Sequence, residues 1–165
     1  MIVVSNASPL IVLAGAGLLH LVKARFETLH VTEAIFQEVV QAGAGKPGSG
    51  EVERSVGSWI TAHATPPGRE LHAYRRTLRL SDADLSVIAL AVELNADLVL
   101  VDEQLLRRAV IERGLTVAGS GGVLVQLKHA RLITEVKPHL MQALAAGLRL
   151  DDDTLTAILA LAGEH

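Results

Sequence analysis

Leu98-Val99-Leu100-Val101 runs without a break into Asp102-Glu103. Four apolar residues ending on two carboxylates fit a strand buried on both faces, as in a parallel sheet covered by helices. The acids then stand at the C-terminal end of the strand, the edge at which open parallel sheets bind ligands. This one stretch constrains both the fold and the place where its chemistry sits.

The remaining chain repeats a strand–helix alternation. Residues 2–4 read as a first strand, and Ser8 as N-cap with Pro9 at the first helical position predicts a helix start. Residues 28–31 read as a second strand. Thr32 then caps a helix whose stripe is Ile35, Phe36, Val39 and Val40, with Val31 and Phe36 spaced as a hydrophobic staple. A helix over 51–56, a strand over 59–62 and a polar helix over 70–78 follow. Residues 82–94 predict a helix with Val87, Ile88, Ala91 and Leu94 toward the core and Asp84 heading the same stripe. A helix over 103–113 ends at Gly114, and residues 115–118 read as the last strand. Gly119-Ser120-Gly121-Gly122 opens a helix to about His129. Two helices, about 136–146 and 152–162, close the chain, the second capped by Asp151 with a Leu150–Leu155 staple. No repeat or long linker divides the sequence. The expectation is a single α/β domain over 1–165, a three-layer α/β/α fold with a parallel sheet of about five strands. The helical pair at about 135–163 is appended to it.

Composition narrows the function. Half the residues are apolar, yet only four are Phe, Trp or Tyr, so the core must be built from Leu, Val, Ile and Ala. The formal net charge of −3 does not advertise nucleic-acid binding, although a local groove can still be basic. With no cysteine, disulfides and thiolate metal sites are out. The apolar start carries no basic region before it and the longest apolar region is too short for a bilayer, so a soluble cytoplasmic protein without membrane contact is expected. Residues 42–50 (AGAGKPGSG) form a loop by composition. They are no Walker motif, because Lys46 is followed by Pro47. Gly119-x-Gly121 has Leu124 where a dinucleotide fingerprint needs its third glycine.

The polar groups expected at the C-terminal sheet edge are Asn6, Asp84, Asp102 and Glu103, with Glu38 on the shoulder of its helix. Crowded carboxylates repel one another unless a cation compensates. Hard oxygen donors with few histidines favour Mg2+ or Mn2+ over zinc. Each residue also has a structural reading. Asn6, Asp102 and Thr32 fit as N-caps, Ser81-x-x-Asp84 fits a capping box, and Glu103 fits a first-turn acid. Glu38 fits a solvated flank residue, and each acid taken singly is better explained as structural. The functional reading rests on their coincidence at one edge.

These residues also carry a family resemblance. Val4-Ser5-Asn6-Ala7-Ser8-Pro9-Leu10, Thr32 to Val39, Asp84 ahead of Ile88-Ala89-Leu90-Ala91, Leu98 to Glu103 and Gly119-x-Gly121-x-x-Leu124 together resemble the PIN domain. This is a nuclease fold common in VapC-like toxins of toxin–antitoxin pairs. The chain is most similar to a branch beginning V-S-[DN]-[TA]-S-P-L. The resemblance implies an Mg2+- or Mn2+-dependent endoribonuclease with RNA as substrate, a small antitoxin as partner and a homodimeric state. It implies Asn6, Glu38, Asp84 and Asp102 as the catalytic set, with Ser8 near the substrate. The metal ligands would be Asp84, Asp102, Asn6 and Glu103. Asn6 departs from the usual aspartate, and a neutral amide should hold a cation more weakly. The alternative is a catalytically impaired PIN-like binding module. A phosphoacceptor domain or a haloacid-type hydrolase would need an acid after the first strand, where this chain has Ser5-Asn6.

Overall fold

A computed structural model describes residues 1–165. Five short strands form one all-parallel sheet: β1 (Val3–Ser5), β2 (Leu29–Thr32), β3 (Ile60–His63), β4 (Leu98–Leu100) and β5 (Val117–Ala118), in the order β3-β2-β1-β4-β5. The helices are α1 (Ala7–Gly15), α2 (Leu19–Phe26), α3 (Glu33–Ala42), α4 (Ser49–Ser55), α5 (Gly68–His72), α6 (Asp82–Glu93), α7 (Gln104–Glu112), α8 (Ser120–His129), α9 (Lys137–Ala145) and α10 (Asp152–Leu161). The expected three-layer α/β/α architecture is the one the chain adopts.

Every residue of β1 and β4 is buried, as their apolar residues require, and Ser5 at the end of β1 is buried with its hydroxyl donating to the Asn6 carbonyl. One core cluster of 47 residues runs from Val3 to Ala162, and Phe26 and Trp59 are its only Phe, Tyr or Trp members. Helix α6 is deeply buried along its middle. Residues Leu85 to Ala91 are all buried, because α3, α5 and α7 pack around it as well as β1 and β2. The expected stripe is therefore only part of a helix covered on nearly every side, and Leu94 at its end is partly buried.

Two local readings change. Helix α1 has Asn6, not Ser8, at its N-cap. The Asn6 N–H donates to the Leu100 carbonyl at 2.9 Å, so β1 passes directly into the helix. Pro9 then falls at the third helical position, which is tolerable because N–H groups of the first turn have no intrahelical partner. The polar helix expected over 70–78 is only the five-residue α5. Beyond it the Arg75 guanidinium donates to the Leu80 carbonyl and to Asp82 Oδ1, which ties the segment down as a turn.

The glycines after β5 have packing roles. A Cβ on Gly119 would stand 2.8 Å from Asp102 Oδ1, and one on Gly121 would overlap the Ile158 side chain of α10. The closing helices are locked by Glu164. Its carboxylate accepts from the Val136 and Lys137 N–H groups at the start of α9 and from Lys128 Nζ at the end of α8. Helix α9 has no side-chain cap of its own, so Glu164 supplies the negative charge its N-terminus favours.

The Lys128 and backbone hydrogen bonds hold the Glu164 carboxyl down from the usual 4.5 to about 2. A depressed carboxyl stabilises the fold above its unfolded value, and the contribution fades as pH falls through the folded value. The melting temperature should therefore drop between about pH 4.5 and pH 2 more steeply in the wild type than in Glu164→Gln. Parallel melting curves over that window would refute this lock.

Candidate active site at the β1–β4 crevice

Strands β1 and β4 pair in register, Val3 with Leu98, Val4 with Val99 and Ser5 with Leu100. From β1 the chain goes on to the β2 side of the sheet, and from β4 to the β5 side. The connections part at this point, leaving a crevice beyond the strand ends. Asn6 is the first residue past β1. Asp102 and Glu103 lie just past β4.

Asn6 is 2 % exposed, and its side-chain oxygen Oδ1 has no hydrogen-bond partner. An unsatisfied buried amide costs about 1–3 kcal/mol, and such groups in folded proteins usually meet water or an ion. Asn6 lines a cleft of about 240 Å3 that Ser8, Glu38, Lys46 and Glu103 also line.

A chain of hydroxyls ties the helix of Glu38, which lines this cleft, to the helix of Asp84, which does not. Thr32 Oγ1 caps α3 by accepting from the Ile35 N–H at 3.1 Å. Ser86 Oγ on α6 donates to the Ala83 carbonyl at 2.6 Å, so the 2.8 Å contact between the two hydroxyls uses the Thr32 proton. A cap on α3 is thereby bonded to the first turns of α6. Asp84 completes a capping box there, its N–H donating to Ser81 Oγ and its Oδ2 accepting from the Ser81 N–H. Oδ1 takes no part in the box.

The acids feel one another. The Glu38 carboxyl is raised by burial and then by the charge of Asp84. The Glu103 carboxyl is raised by burial, then by Asp84, Glu38 and Asp102. Asp102 does not cap α7, whose N-cap is Glu103. It reaches 18 residues along the chain, accepting from the Ser120 N–H at 2.6 Å and from Ser120 Oγ at 2.7 Å. Arg107, which donates to the Val101 carbonyl at 3.0 Å, lies beside the same turn.

A family model for the PIN domain matches residues 2–164. The chain belongs to the PIN-domain family. None of the curated proteins compared with it matches. PIN domains are generally nucleases and generally use divalent metals, so this PIN fold is of the nuclease type. The donors at the crevice of this PIN domain are all oxygens, and the unpartnered Asn6 amide has the chemistry a hard cation accepts. No three His, Asp or Glu side chains stand close enough together to hold a metal ion by themselves. Asn6, Ser8, Glu38 and Glu103 meet in one cleft. Asp84 and Asp102 do not line it, but act on it by charge.

Sequence reasoning misses Lys46 here. The 42–50 loop fails as a Walker motif, yet it follows the helix that carries Glu38, and its Lys46 lines the same cleft.

Thr32→Val keeps the shape of the side chain but removes both the cap and the donor to Ser86. It should lower unfolding stability by about 1–2 kcal/mol. An unchanged guanidinium midpoint would show that the hydroxyl chain does not hold α3 to α6.

Proposed function

We propose that this PIN-domain protein is a metal-dependent endoribonuclease that hydrolyses RNA phosphodiester bonds and serves as the toxin of a toxin–antitoxin pair. The observation that carries the reading is Asn6, buried with its side-chain oxygen unpartnered, in the lining of a cleft that also holds two carboxylates of raised pKa. Crowded, partly buried acids are costly to fold, and such clusters mark functional sites.

Asn6 and Glu103, which line the cleft, would hold the ion, and Asp84 and Asp102 would add their negative charge from beside it. When bound, Mg2+ or Mn2+ would supply Lewis-acid polarisation of the phosphodiester and would make water more acidic. Glu38, its carboxyl raised by burial and by Asp84, is suited to accept the proton of an attacking water. Ser8 borders the cleft where a phosphate or ribose would lie. The partners of this reading are RNA, a small antitoxin and a second copy of the chain.

Labelled single-stranded RNA should be cut with Mn2+ or Mg2+ and spared with chelator. Asp84→Asn should lower the rate by about 100-fold or more. Cleavage that ignores chelator, or survives that substitution, would refute the reading.

A second reading is a binding module with lost catalysis. The neutral Asn6 and the lack of three converging acids favour it. Asn6→Asp separates the two. On the ribonuclease reading the wild type already cuts RNA, and the variant gains a larger rise in melting temperature with Mn2+. Cutting by the variant alone would establish the binding module.

A further inference from the structure

The cleft at Asn6 does not end at the acids. Across Ile11, Lys46 and Ala146 it adjoins a larger groove of about 520 Å3, walled by Gly15, Ala16, Gln142 and Ala145 among others. Lys46 is the only basic side chain lining either space. It is exposed, and it takes part in none of the four salt bridges.

Its place is fixed by the loop beneath it. Gly48 lies at φ 87°, and a Cβ there would overlap the Ala14 carbonyl, so only glycine lets the loop seat on α1. The Lys46 N–H donates to the Gly43 carbonyl at 2.9 Å, closing the turn that carries the side chain. Small residues let the far wall close on the end of α1. A Cβ on Gly15 would already stand 3.3 Å from the Ala146 Cβ.

A strand cut at the acid cluster must bring phosphates toward Glu38 and Glu103, which repel them. A cation one step along the backbone offsets that repulsion and sets the direction of the strand. Resting on the ribonuclease reading, we propose that Lys46 is the backbone clamp of the site. It binds a phosphate next to the scissile one, and single-stranded RNA runs past it into the groove between α1, the 43–48 loop and α9.

The test is binding of a short fluorescent single-stranded RNA in chelator across a salt series, with cleavage kinetics alongside. Each phosphate contact on a single strand adds about 0.7 to the slope of log affinity against log salt. Lys46→Gln should lower that slope by about 0.7 and raise KM several-fold with kcat nearly unchanged. Lys46→Arg should restore both. Ala145→Phe, which fills the groove without touching charge, should weaken binding and leave the slope alone. A Lys46→Gln protein with the wild-type slope and KM overturns the clamp. So does one whose affinity and melting temperature fall together, which would make Lys46 a loop anchor. Unaltered binding by Ala145→Phe overturns the path along the groove. If the wild type binds no RNA, the ribonuclease reading itself fails, which is a different result from a clamp that fails on a protein that binds and cuts.

Discussion

Parallel pairing of β1 with β4 is the contact on which the rest of the site depends. It sets the Ser5–Leu100 register and lets the Asn6 N–H reach the Leu100 carbonyl. Positions 6 and 102, far apart in the chain, both come to lie beyond the same edge of the sheet. The chain leaves the two strands toward opposite sides of the sheet, so nothing from the sheet itself fills the space between them. A polar side chain there is buried by its neighbours and still opens onto a cleft. That is the situation of Asn6.

Around this crevice most polar groups serve two purposes. Asp84 caps its own helix with one oxygen and acts electrostatically on Glu38 and Glu103. Asp102 anchors the start of α8 through Ser120 while adding to the charge felt by Glu103. Thr32 ends a strand, caps a helix and bonds to α6. Structural and functional readings of these residues are therefore compatible. The capping bonds hold the acids near one another against their mutual repulsion, and that repulsion adds to burial in raising two of their carboxyls.

Much of this was legible in the residues. The Thr32 cap, the Ser81–Asp84 box and the Asp151 cap all form as their spacing predicts, because each partner lies three residues away. Other features had no local signal. His30 Nδ1 lies 2.9 Å from His63 Nε2 only because β2 and β3 pair, and burial and its partner lower the His30 pKa. Ser8 has the residue type and spacing of a cap, but continuity of β1 with α1 moves the helix start to Asn6. The 70–78 segment has helix-forming residues but buries only Leu71 in α5, and Arg75 ties the residues up to Asp82 into a turn.

The sequence by itself determined the elements: apolar runs that must be buried on both faces, amphipathic stretches that must cover them, and caps that begin helices within one turn. Hydrophobic period and short-range hydrogen bonding are properties of neighbouring residues, so they can be read in order. Only the tertiary structure decided the strand order, the turn of Asp102 toward Ser120, the closure of α9 by Glu164 and the arrival of Lys46 beside Glu38 and Glu103. Each of these joins groups that meet only after helices have packed on the sheet, where shape and burial across the whole core select the partner.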